Sequence, residues 1–206
     1  MWEFRRTAWS FSSGGDNSAL YKSSDAGETW NKIHNGFPDG QLGRLAIAVA
    51  PSDATILYTV IEAEDPKRKG LYRSDDAGAN WRQLNNDFGI TVRPFYFSRI
   101  TVDPRNPDVV VKGGLSGSIS KDGGKTFKLV NSVVAFEDIK LHPTHAECMM
   151  AAQDTCSGGK AKKGQPCYRK LWVSHDFGQS WSHVADRVQQ FDWTEEVPKN
   201  IRPKNW

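Results

Sequence analysis

The chain has 206 residues, of which 38% are apolar, with 18 glycines, 10 prolines and eight tryptophans. Such an apolar share excludes an intrinsically disordered chain. The near balance of 27 basic and 24 acidic residues, net +3, supplies no concentrated basic face for nucleic acid. From the N-terminus, Met1-Trp2-Glu3-Phe4-Arg5-Arg6 lacks the apolar core of a secretory signal. No later run reaches the ~18–20 consecutive apolar residues of a membrane helix. Gly and Pro turns between large packing residues predict many short strands, an all-β chain.

A pattern Ser-x-Asp-x-Gly-x-(Thr/Ser/Asn)-(Trp/Phe) first appears at Ser23–Trp30 and returns at Ser74–Trp81, Ser120–Phe127 and Ser174–Trp181. Its aspartates, Asp25, Asp76, Asp122 and Asp176, are spaced by 51, 46 and 54 residues. A fixed period of this size marks a repeat architecture. Each copy reads as a hairpin turn. The Asp accepts bonds from backbone N–H groups that the turn leaves unpaired. Gly27, Gly78, Gly124 and Gly178 supply positive φ. Trp30, Trp81, Phe127 and Trp181 pack a large apolar surface. Between the copies recur alternating strands ending in proline: Ile47–Pro51, Ile100–Pro104 and Ile139–Pro143.

Three cysteines are too few for a disulfide scaffold. Cys156 and Cys167 flank a Gly/Lys-rich segment, and a loop-closing disulfide between them, with Cys148 as a buried thiol, is the preferred assignment; free thiols throughout remain the alternative. A disulfide implies an oxidising, extracytoplasmic compartment.

The boxes resemble the Asp-box (BNR) repeat of β-propellers. That resemblance implies one four-stranded blade per repeat, with strand A ending at the proline, strand C entering the box and strand D leaving it. About four blades are then expected over 1–186 (near 1–34, 43–84, 98–130 and 136–186), an arc of a larger ring. Residues 187–206 would be a C-terminal extension or the start of the next blade. The strands fall at 45–50, 56–61, 70–74 and 81–84 in the second repeat. They fall at 99–102, 109–112, 118–120 and 126–130 in the third, and at 138–141, 148–153, 169–174 and 180–184 in the fourth. Residues 1–127, with Trp2–Thr7, Ser12–Gly15 and Gly70–Ser74, resemble bacterial glycosidase-like Asp-box proteins. Residues 115–193 are similar to the sortilin/vacuolar protein-sorting receptor ectodomain. The carrying residues are Leu141–Thr144, the Cys156/Cys167 pair, Leu171–Gly178 and Gln190–Trp193. Both resemblances imply one fold and not one function.

In an up-and-down blade the A–B and C–D turns share one end. The boxes are therefore structural, and ligands are expected at the opposite end, where the longer loops lie. Three loops there carry candidates. Glu62 and Glu64 are the only carboxylates with a claim to glycoside hydrolysis, and Lys67–Lys69 follow them at once. Arg93 and Tyr96 lie in an aromatic run. Lys160, Lys162 and Lys163 lie in the loop between Cys156 and Cys167. Gly123-Gly124-Lys125-Thr126 lacks the first glycine of a P-loop, and Asp122 lacks the partners of a calcium loop. His142, His145 and Cys148 are not at metal-ligand spacing, so no metal and no cofactor is expected. The expectation is a non-enzymatic propeller segment binding protein or peptide ligands, with no nucleic acid and no membrane span. The alternative is a secreted glycoside hydrolase acting on glycan, similar to sialidases or xyloglucanases.

Overall fold

Alternating side chains on a strand can face two different neighbours, and the strand Asp53–Ala63 does so throughout. In the computed structural model Tyr58 and Val60 face one apolar cluster and Leu57 and Ile61 the other. The structure describes residues 1–114, 117–130, 138–145, 147–156 and 167–193, the side chains of Tyr96 and Phe97 excepted. The chain divides into two compact units, Met1–Ala135 and Phe136–Trp206.

The first unit begins with two hairpins: β1 (Phe4–Arg6) with β2 (Phe11–Ser13), and β3 (Tyr21–Lys22) with β4 (Asn31–Lys32). A four-stranded sheet follows, β5 (Leu42–Ala50), β6 (Asp53–Ala63), β7 (Gly70–Ser74) and β8 (Arg82–Asn85), antiparallel in sequence order. After a single helical turn, α1 (Pro94–Phe97), a second such sheet comprises β9 (Arg99–Val102), β10 (Val110–Gly113), β11 (Ser118–Ser120) and β12 (Lys128–Leu129). This sequential four-stranded order is the blade of a β-propeller.

Residues 1–34 form two separate hairpins and no four-stranded sheet, unlike the first blade expected from the period. The β1–β2 hairpin is held elsewhere. Trp2, Phe4 and Phe11 cluster with Phe95, whose ring lies 4.9 Å from that of Phe11. The Arg44 guanidinium stands 5.3 Å over Trp2. That aromatic contact ties the hairpin to β5 and α1 instead of to β3.

Blade faces are glued by apolar residues of matching parity. Tyr58, Val60 and Leu71 pack with Ile90, Val102 and Val110 towards the blade of β9–β12. Leu42, Ile61, Tyr72 and Trp81 pack with Phe37 on the other side. Each such fully buried side chain contributes roughly 1.5–3 kcal/mol. One polar seam crosses the first interface. Tyr58 Oη donates to the Pro107 carbonyl (2.9 Å) and accepts from Arg73 Nη1 (2.7 Å), which also bonds Asp108 (2.6 Å). Burial pushes the Tyr58 phenol up to about 12, so it is a permanent donor.

All four boxes share one bonding pattern. Asp25 Oδ1 accepts from the Ser23 hydroxyl (2.7 Å) and the Thr29 N–H (2.9 Å), and Oδ2 from the Thr29 hydroxyl (2.5 Å). Asp76 uses Ser74 and Asn80, Asp122 uses Ser120 and Thr126, and Asp176 uses Ser174 and Ser180. The Trp30, Trp81 and Trp181 indoles donate to the box Gly carbonyls, 3.0–3.1 Å away. The aromatic thus belongs to the turn, which is why β8, β12 and β16 begin after it. The residue before each box Gly is left-handed too: Ala26, Ala77, Gly123 and Phe177 have φ of 58, 57, 72 and 60°. Three of these are not glycine, a strain that the surrounding bonds over-determine.

These bonds hold each box carboxyl down to about 2, led by the hydroxyl or amide at Thr29, Asn80, Thr126 and Ser180. The folded value lies below the ordinary 3.8, so the stabilisation is complete above about pH 4 and is lost as pH falls towards 2. Urea unfolding midpoints should therefore be flat from pH 7 to 5 and fall steeply between pH 4 and 2. Asp122→Asn should remove part of that slope.

The second unit is one four-stranded blade, β13 (Asp138–Leu141), β14 (Met149–Asp154), β15 (Arg169–Ser174) and β16 (Ser182–Asp186), again in sequence order. Met149, Met150, Ala151 and Ala152 are buried along β14. A disulfide joins Cys156 and Cys167. Cys148 is free and half-buried, not buried as expected, with Sγ 3.3 Å from His175 Nδ1. It sits at the start of β14, beside the turn, where the sheet no longer covers it.

Candidate ligand-binding face

Backbone hydrogen bonds show which loops share an end of each blade. The Ala77 N–H donates to Thr55 O (2.8 Å), Gly123 to Asp108 O (2.9 Å) and Phe177 to Glu147 O (3.0 Å). Every one of these boxes is thereby tied to the A–B turn of its own blade. At the other end of the β5–β8 blade, Gln83 Nε2 donates to the carbonyls of Lys67 (2.9 Å) and Lys69 (3.2 Å). The segments 64–69 and 86–98 therefore emerge together, away from the boxes.

The loop 86–98 encloses a hollow of about 310 Å³. Its walls are apolar, from Phe88, Ile90, Val92, Phe127 and Leu129, and Asp87 and Ser118 supply the polar groups. Phe88 is 76% exposed at the rim, whereas Ile90 is buried at 3%. Beneath this loop lies Lys112, only 1% exposed, whose Nζ donates to the Gly89 carbonyl (2.8 Å). Burial pushes its amine down to about 8. In the second unit a hollow of about 500 Å³ opens between Cys167–Arg169 and Arg187–Gln189. Thr155 N–H bonds Tyr168 O, and Val188 N–H bonds Arg169 O. This hollow too lies at the B–C end of its blade.

The sequence candidates are distributed unevenly over this face. Glu62 Oε2 accepts from the Ser13 hydroxyl (2.5 Å) and the Arg44 N–H (2.8 Å). A Cβ on Gly43 would stand 2.2 Å from the same oxygen, so Glu62 fills the gap that glycine leaves and fastens β2 to β5. Glu64 is exposed. Arg93 is exposed and left-handed at φ 45°, opening the helical turn that contains Tyr96. Phe95 packs on Phe11 rather than facing outwards. Lys160, Lys162 and Lys163 lie outside the described residues. The box residues Asp25, Gly27, Trp30, Asp76, Gly78, Trp81, Asp122, Gly124, Phe127, Asp176, Gly178 and Trp181 belong to the turns just described. Phe127 also reaches the hollow from its blade face.

Two features were not predicted from the sequence. The Trp2–Phe4–Phe11–Phe95 cluster with Arg44 joins residues far apart in sequence, and the alternation Trp2-x-Phe4 was its only local signal. Lys112 sits in an apolar strand, Val109-Val110-Val111-Lys112, and that interruption was the sign of its burial. Among the described residues no group of three His, Cys, Asp or Glu is placed to hold a metal ion. No helix among them is long and apolar enough to cross a membrane.

The family model of Sortilin-Vps10 (sortilin, neurotensin receptor 3) matches residues 69–204. A xyloglucanase of Hypocrea jecorina (strain QM6a) is 31% identical over 134 residues, 58% of this chain and 16% of that enzyme. The chain therefore spans about a sixth of that relative's length. Among solved structures, the GH74 enzyme of Niastella koreensis superposes with a TM-score of 0.48 at 17% identity, over 68% of this chain and 22% of that one. YCF48 bound to D1 peptide superposes with a TM-score of 0.47 at 13% identity, over 82% and 76%.

Proposed function

The chain belongs to the Sortilin-Vps10 family, and on that premise we propose that it is a non-enzymatic binding segment of a β-propeller. It takes protein or peptide ligands on the loops opposite the boxes, in an extracytoplasmic compartment. The observation that carries this reading is the hollow under loop 86–98. It is walled by Phe88, Ile90 and Phe127, and it lies at the end of the blades where the boxes are not. Its size and apolar lining suit one or two side chains of an extended ligand. The Cys156–Cys167 bridge supports an oxidising compartment.

A second reading, a glycoside hydrolase, is favoured by the 31% identity to a xyloglucanase. It needs two carboxyl groups flanking the bond to be broken. Glu62 is committed to Ser13 and Arg44, which supports binding over hydrolysis.

Selection of a random displayed-peptide library against the folded chain should yield binders. Their affinity should fall at least about tenfold in Phe88→Asp, a loss of ~1.4 kcal/mol, and remain unchanged in Glu28→Gln on a box turn. Hydrolysis of xyloglucan oligosaccharides that disappears in Glu62→Gln would overturn this reading in favour of the second.

A further inference from the structure

In the first unit each box rests on the exit of the preceding D strand, and the two examples follow one rule. The Trp81 N–H donates to Asn35 O (3.0 Å), and Asn35 Nδ2 donates to Ala79 O (3.1 Å). The Trp81 ring packs 5.2 Å from Phe37, and a Cβ on Gly78 would stand 4.0 Å from Ile33. The next box repeats this arrangement. Asn85 Nδ2 donates to Lys125 O (2.9 Å), and a Cβ on Gly124 would meet Leu84 at 3.2 Å. Ile33 and Leu84 each lie three residues after a box tryptophan, Trp30 and Trp81. An aliphatic side chain at this offset is the seat, and the following box is what it receives.

One box lacks a seat and one seat lacks a box. The first box has the same internal bonds as the others, yet Trp30 is 61% exposed where Trp81 is 5%. A Cβ on Gly27 would meet only Trp30 itself, at 3.8 Å. Beside it opens a hollow of about 520 Å³ walled by Met1, Leu20 and Tyr21. The positions three residues past a box aromatic are Ile33, Leu84, Val130 and Val184. The first two are half-buried, Val130 is 5% exposed, and Val184 is 42% exposed.

We propose that the chain associates head to tail with a second copy of itself, the Trp30 box of one copy seating on the β16 exit around Val184 of the next. The contact reproduces an interface the chain already builds internally, so its geometry and chemistry are set by the same residue types. No asparagine follows Val184, which is succeeded by Ala185 and Asp186. The side-chain bond to the box carbonyl is therefore missing, and the contact rests on apolar burial. A heterologous contact of this kind closes into a ring or extends, according to the rotation per copy.

Sedimentation velocity of the full chain over a wide concentration range tests this. The weight-average mass should at least double with concentration for the wild type. Trp30→Glu and Val184→Glu should each remain monomeric, because both side chains are exposed and can change without opening a core. Their equimolar mixture should recover a dimer, since each variant retains the half that the other has lost. The uncharged pair Trp30→Gln and Val184→Ser should give the same three results, separating loss of the apolar seat from misfolding. A wild type that stays monomeric at its highest soluble concentration would overturn the proposal. So would association unaffected by either substitution, or a mixture that fails to associate while its components fold.

Discussion

Trp81→Ala should lower the unfolding free energy of the chain by about 3–5 kcal/mol, whereas Trp30→Ala should cost under about 1 kcal/mol. The two tryptophans hold the same place in the same turn, and each donates its indole N–H to the box glycine. What differs is the surroundings. Trp81 is 5% exposed, packed against Phe37 and bonded through its backbone to Asn35, while Trp30 is 61% exposed. Removing the Trp81 ring leaves a cavity between two blades. Collapse is resisted by Gly36, where a Cβ would stand 1.8 Å from the Trp81 carbonyl and hold the backbones together. Urea unfolding at low protein concentration, followed by circular dichroism, measures both changes. Equal losses would show that the ring stabilises its own turn and not the contact between blades.

Lys112→Met should raise stability at pH 7 by roughly 1–3 kcal/mol, which is unusual for a fully buried position. The stem of Lys112 already packs as an apolar chain, and Met matches its length. The ammonium is desolvated and has one acceptor, the Gly89 carbonyl. Gly89 itself is exposed, so its oxygen can take a bond from water once the lysine is gone. Because the folded amine titrates at about 8 against an ordinary 10.5, the unfolded chain binds more protons between these values. Wild-type stability should therefore rise from pH 8 to 10.5, the charged form being penalised below that window. Lys112→Met should abolish the rise, and the two proteins should converge near pH 11. A loss of stability in the variant at pH 7 would mean that the bond to Gly89 outweighs the cost of burying the charge.

The blade register was legible in local pattern. β7, β9, β11, β13 and β15 begin and end at the residues that alternation and the boxes pick out, because each runs from a loop glycine or charge into a turn of fixed shape. β8, β12 and β16 start later than alternation suggests. The box tryptophan looks like the first residue of a strand, but its indole closes the turn. Left-handed Ala26, Ala77 and Phe177 carry no local signal, since neither Ala nor Phe favours that conformation. Only the eight-residue frame imposes it.

The site was less legible because its parts meet through tertiary contacts. Glu62 looks like a free loop carboxylate until Ser13, far away in sequence, is brought to it by a hairpin that aromatic packing diverts from β3. Arg93 and Tyr96 lie on the segment the alternation left as loop, and a proline in the first turn makes part of it helical. The hollow beside that turn combines Phe88 and Ile90 with Phe127 and Leu129 of the following blade. No single stretch of sequence contains it.

Hydrogen–deuterium exchange of the chain with and without a selected peptide ligand tests the placement of function most directly. Slowed exchange in 86–98 and around Ser118, with 75–81 and 121–126 unchanged, is the result predicted for a ligand held opposite the boxes. Protection centred on the box turns, with the 86–98 loop unaffected, would contradict it.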